Sequence, residues 1–99
     1  LTAGRRRRTE HLDMIWTDNS TGHPRMGLIV PRHQSTAVAR NRLRRRLREI
    51  WRTELMAAMP AWDLVIRARR EAYGASFAEL RAELLGWLAR VAPQRGAAE

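Results

Sequence analysis

The sequence predicts a single domain of the α+β class, one sheet layer covered by two or three helices. Three patterns carry that expectation. Residues 11–17, HLDMIWT, alternate with Leu12, Met14 and Trp16 on one face and His11, Asp13 and Ile15 on the other, the period of a half-buried strand. Between residues 37 and 59, Leu43, Leu47, Ile50, Trp51, Leu55 and Ala58 recur at helical spacing, with Ala39 at the edge of the stripe. Residues 63–68, DLVIRA, form a short β-branched run that reads as a buried strand, and a second helical pattern comes after it. A chain of 99 residues has interior enough for one core only.

From the N-terminus, the block Arg5-Arg6-Arg7-Arg8 is either a solvated basic arm or the opening of an edge strand. The turn-forming cluster 18–24, DNSTGHP, separates the first alternating strand from a short run at 25–30, RMGLIV, and is expected to close a hairpin between them. Ser35 or Thr36 can cap the long helix, which Pro60 stops. Ser76 and Glu79 have the spacing of a capping box for the last helix, whose apolar face is Phe77, Leu80, Leu84, Leu88 and Val91 and which ends before Pro93. Residues 1–8 thus read as a basic N-terminal segment and 93–99 as a flexible tail of one domain, 1–99.

The formal charge of +9 is carried entirely by arginine, nineteen residues with no lysine. It is also one-sided: the first 48 residues hold twelve arginines against Glu10, Asp13 and Asp18, whereas the last 51 hold seven of each sign. This distribution implies a polyanionic partner facing the N-terminal half, and the forked, planar guanidinium suits phosphate. The absence of cysteine excludes disulfides and thiolate metal sites. No apolar run approaches the eighteen or so residues of a membrane span.

Catalytic chemistry is not apparent in the residues. His11, His23 and His33 are scattered, the carboxylates stand singly, and there is no nucleophile–base pair or glycine-rich phosphate loop. No catalytic residue and no metal ligand is therefore assigned. The density of arginine is highest at residues 40–48, RNRLRRRLR, where six fall in nine positions. Like charges at i, i+4 cost a helix a few tenths of a kcal/mol each, so a purely structural helix would carry more glutamate here. On the helical wheel Asn41, Arg45, Arg48 and Arg52 lie opposite the apolar stripe with Arg44 on the near flank; Arg42 and Arg46 project from the other side beside Glu49, and Arg40 falls where it can reach over a sheet edge. A phosphate-tracking helix is the reading.

With these residues the sequence resembles the protein subunit of bacterial ribonuclease P. The resemblance rests on residues 37–49, AVARNRLRRRLRE, preceded by RMGLIV at 25–30 and a short basic loop, Pro31-Arg32-His33, and succeeded by DLVIRAR at 63–69 and SFAEL at 76–80. It covers residues 4–92. It implies a four-stranded mixed sheet with packed helices in the order αβββαβα and a left-handed βαβ crossover. The family's first helix precedes the glycine matched by Gly4, where this chain has Leu1-Thr2-Ala3, so that helix is expected to be missing or truncated. In the basic loop the family more often has serine, lysines, glycine and asparagine, where this chain reads PRHQST.

The implied function is a subunit of a tRNA-maturing ribonucleoprotein endonuclease, in which the RNA hydrolyses the phosphodiester with Mg2+ and the protein itself binds no cofactor. The implied partners are the catalytic RNA and the 5′ leader of precursor tRNA, met by one protein monomer in a 1:1 complex in the bacterial cytoplasm, with no membrane. The RNA-binding residues are then Arg32, His33, Arg40, Asn41, Arg42, Arg44, Arg45, Arg48 and Arg52. Met14 and Trp16 are the candidates for a leader cleft, or equally for the core if the helices cover their face of the sheet, while Trp51 and Trp87 are read as core. A small ribosomal or other RNA-binding module shares the charge pattern and is the alternative. A membrane-active cationic helix fits the strands poorly, and a helix-turn-helix lacks a helix just before Ala37.

Overall fold

A computed structural model describes residues 4–33 and 35–92. The expectations for Leu1-Thr2-Ala3 and for the 93–99 tail lie outside the described residues, as does Gln34. Four strands, β1 (Arg5–Arg8), β2 (Leu12–Asp18), β3 (Arg25–Ile29) and β4 (Trp62–Ala68), form one mixed sheet in the order β1-β2-β4-β3. Two helices, α1 (Ala37–Ile50) and α2 (Phe77–Val91), complete the α+β architecture.

The arginine block is the edge strand and not a free arm. Arg5 to Arg8 pair antiparallel with Trp16 to Asp13. Alternation along β1 sends its side chains to opposite faces, which separates neighbouring charges, and a charged edge discourages pairing with a second chain. The expected hairpin of 11–17 with 25–30 is corrected: β4 lies between those strands, antiparallel to β2 and parallel to β3. The DNSTGHP segment is a loop that crosses the end of β4. Asn19 ties it down, its backbone N–H donating to the Ala61 carbonyl at 3.0 Å and its side-chain amide to Asp63 Oδ1 and the His23 carbonyl, both at 3.0 Å. Because β3 and β4 are parallel, the chain must cross over between them, and α1 makes that crossing.

Thr36, not Ser35, caps α1, its hydroxyl accepting from the Ala39 N–H. The predicted continuous helix to residue 59 is interrupted: Trp51–Leu55 forms a π-helical turn, with the Met56 N–H donating to the Trp51 carbonyl at 2.9 Å. The wider turn shifts the angular phase of residues 56–59, so Met59 is buried in place of the expected Ala58, which is exposed. The capping box at α2 is present in both directions, Ser76 with Glu79. On α2, Trp87 joins Leu80, Leu84 and Leu88 in the core, while Phe77, expected on that face, is exposed.

The core lies on one side of the sheet. Leu12, Met14 and Trp16 of β2 and Trp62, Leu64 and Ile66 of β4 meet Leu43, Leu47 and Ile50 of α1 and Leu80, Leu84 and Trp87 of α2. Trp51 packs partly buried against it. Trp16, Trp62 and Trp87 touch one another, with ring centroids 5.1 to 6.4 Å apart, and the Arg5 guanidinium covers the Trp16 and Trp62 rings at 5.5 and 5.2 Å. This packing corrects the expectation that Met14 and Trp16 line a cleft. Met14 is 0% and Trp16 4% exposed, because both helices cover the face to which period two directs them. The opposite face carries no helix among the described residues.

Candidate nucleic-acid interface

The exposed side of α1 is a groove in which positive charge predominates. With Leu43, Leu47 and Ile50 buried, the helical period brings Asn41, Arg44, Arg45, Arg48 and Arg52 together along the opposite side, as the wheel predicts. Glu49, placed with Arg42 and Arg46 from sequence, lines this groove instead and accepts from Arg52 Nη2 at 2.7 Å. No carboxylate pairs with Arg44, Arg45 or Arg48 among the described residues. The first turn of α1 has no acidic residue either. Such a surface is built to be neutralised by something outside the chain.

The remaining candidates are distributed differently. Arg40 turns its Nε to the Val30 carbonyl at 2.7 Å, fastening α1 to the end of β3. Arg42 is exposed but stands outside the groove, and Arg46 donates to the Ala75 carbonyl at 2.9 Å, linking α1 to the approach of α2. Arg32 is exposed on the β3–α1 loop. Its neighbour His33 adopts φ +49°, the left-handed region that glycine enters at no cost and other residues enter at about 1 kcal/mol or more. The loop therefore keeps a backbone shape suited to glycine while spelling it with histidine. Tyr73 holds it there, its hydroxyl donating to the Pro31 carbonyl at 2.5 Å and its ring meeting His33 edge-on at 6.4 Å.

The open face of the sheet is a second surface, and strand register orders it. Arg6, Ile15, Val65 and Gly27 stand in one row across the four strands; Arg8, Asp13, Arg67 and Ile29 form the next. Beyond the first row, Arg25 grips Asp63 with two hydrogen bonds of 2.7 and 2.8 Å. That guanidinium, helped by the Asn19 amide, holds the Asp63 carboxyl below the usual carboxylate range. The outcome is an apolar strip, Ile15, Val65 and the bare backbone at Gly27, flanked by charge. A Cβ on Gly27 would meet nothing within 4 Å, so the strip is open to solvent at that end. Sequence reading missed these residues: alternation defined two faces, but only the docking of α1 and α2 decides which one is covered.

The matching family model is Ribonuclease P, over residues 1–92. The chain belongs to the ribonuclease P protein family. It is similar to the ribonuclease P protein component of Syntrophobacter fumaroxidans, 38% identical over 84 residues, and to that of Aliivibrio fischeri, 41% identical over 63 residues. These alignments cover 84% and 63% of this chain and span 71% and 53% of the two relatives. Among solved structures, the RNase P protein from Thermotoga maritima superposes with a TM-score of 0.81 at 26% identity, covering 93% of this chain and 87% of that one. Membership makes the chain the protein subunit of a tRNA-processing ribonucleoprotein endonuclease.

Proposed function

We propose that the α1 groove docks on the catalytic RNA of ribonuclease P and that the open face of the sheet receives a single RNA strand, the 5′ leader of precursor tRNA. The observation that carries the first part is the gathering of Asn41, Arg44, Arg45, Arg48 and Arg52 on one side of a capped helix, with a single carboxylate among them. Each phosphate neutralised there releases a counterion, a gain that depends on salt and not on base sequence. The leader reading is supported by the apolar strip at Ile15, Val65 and Gly27, a surface suited to unstacked bases, with Arg6, Arg8 and Arg67 beside it for their phosphates.

The division of labour is the one the family resemblance implies, with the Mg2+ of the hydrolysis held by the RNA. The protein's part is to screen repulsion between two polyanions and to fix the leader relative to the cleavage site, as one monomer in a 1:1 complex in the cytoplasm. No helix among the described residues is long and apolar enough to cross a membrane. Cleavage of a precursor tRNA by a bacterial ribonuclease P RNA, titrated with magnesium, tests this reading. Adding the protein should move the titration to lower magnesium; a curve that does not move contradicts it.

A further inference from the structure

On the open face, a carboxylate lies where an RNA-binding surface is not expected to have one. Asp13 is 4% exposed, although the face it belongs to carries no helix among the described residues. Guanidinium groups are drawn to it from the edge strand: Arg8 Nε is 3.2 Å from Oδ1 and Arg6 Nη2 3.7 Å from Oδ2. Arg67 stands opposite it in register on β4. Arg6 and Arg8 themselves remain more than half exposed, at 59% and 61% of their side chains. Together with Arg67, Arg70 and His33, and with Arg69 and Glu71, which pair with each other at 4.0 Å, these residues line one pocket at the end of the sheet. The buried Nε2 of His33 has no hydrogen-bond partner in the structure, which leaves a polar atom at that pocket unsatisfied.

We propose that this pocket takes one phosphodiester of a single-stranded RNA lying on the open face, and that Asp13 is a positioning residue for it. The inference rests on the open-face reading above. Four guanidinium groups converging without an anion would repel one another and splay into solvent. A buried carboxylate at their base holds Arg6 and Arg8 by one edge and leaves their remaining N–H donors directed outward, so the donors are ordered before the phosphate arrives. His33 adds a fifth polar group from the β3–α1 loop, whose strained backbone is kept in place by Tyr73.

The sign of one charge effect separates orientation from simple attraction. By Coulomb's law alone, Asp13→Asn removes a negative charge beside the ligand and should tighten RNA binding. If Asp13 acts by orienting arginines, the same change weakens binding. The measurement is fluorescence anisotropy of a short labelled oligouridylate with the full chain and the variants Asp13→Asn, Arg8→Lys and Ile15→Glu, each checked by thermal unfolding. Ile15→Glu should abolish binding if the strand lies on the open face; Asp13→Asn and Arg8→Lys should each weaken it about tenfold, a loss of the order of one oriented charge-assisted hydrogen bond. Arg8→Lys keeps the charge on an exposed side chain and decides the matter by itself should Asp13→Asn not fold. Loss on Ile15→Glu with unchanged or tighter binding by Asp13→Asn and Arg8→Lys overturns the role of Asp13 and leaves the open-face reading intact. Binding indifferent to Ile15→Glu overturns both.

Discussion

Arg40 donates from Nε to the carbonyl of Val30 at 2.7 Å, so the first arginine of the arginine-rich helix is also the pin that joins this helix to the sheet. One half-buried guanidinium thereby serves fold and surface together. Its removal should lower stability by about 1.5–3 kcal/mol, the range for a hydrogen bond with a charged partner, as well as weakening RNA binding. Arg45→Ala, at an exposed groove position, should change stability by no more than about 0.5 kcal/mol while weakening binding. Urea unfolding of the two variants checks this; equal midpoints would show that the Val30 contact carries no stability.

Salt dependence reports how many groove arginines meet phosphate. If four to six do so, log K for the catalytic RNA should fall against log salt with a slope of roughly −3 to −5. Arg45→Ala and Arg48→Ala should each make that slope shallower by about 0.7–0.9, whereas Arg46→Ala, whose guanidinium is engaged by the Ala75 carbonyl, should leave it nearly unchanged.

The capping box of α2 predicts a stability loss separate from RNA binding. Ser76→Ala removes the acceptor for the Glu79 N–H and keeps only the other half of the box, in which the backbone N–H of residue 76 donates to the Glu79 carboxylate. A loss of about 1 kcal/mol is expected, a fall in Tm of about 4–8 °C for a domain of this size. RNA affinity should be unchanged at temperatures where the variant is folded.

Acid should destabilise the protein through carboxylates held below their ordinary range, Asp63 and Glu79 among them. The Arg25 guanidinium holds Asp63 below its ordinary value of 3.8, and the Ser76 N–H holds Glu79 below its ordinary 4.5. Because the folded state binds these protons less readily than the unfolded chain, their stabilisation is complete above the ordinary values and is lost as pH falls through the lowered ones. Denaturant midpoints measured between about pH 5 and 2 should therefore decline, and the decline should be shallower in Asp63→Asn. An identical slope in that variant would show that Asp63 contributes nothing to the acid sensitivity.

Legibility in the sequence depends on whether a pattern is local. Thr36, Ser76 and Glu79 act on amides within three residues, and the α1 groove is a consequence of helical period, so those features can be read from the chain directly. The hairpin of 11–17 with 25–30 is not formed because pairing is a matter of which strand slots between, and β4 is contributed from beyond α1. Ala58 falls outside the core because a π-helical turn leaves no mark in apolar spacing until the register after it is seen. Met14 and Trp16 are core residues and not cleft residues for a related reason. Alternation distinguishes the faces of β2, but the side on which α1 and α2 pack is a tertiary fact, and it brings Ile15 and Val65 to the open surface instead.

The central claim, that α1 faces the catalytic RNA, can be tested by proximity. The chain has no cysteine, so Val38→Cys supplies a single attachment point in the first turn of α1, 69% exposed and within about a quarter-turn of the groove. With an iron chelate attached there, hydroxyl radicals should cut the ribonuclease P RNA at a few discrete positions in the assembled complex, whereas the same chelate on Ala82→Cys, exposed on α2, should produce no such cuts. Cleavage from Ala82→Cys with none from Val38→Cys would contradict the orientation and with it the role assigned to the arginine groove.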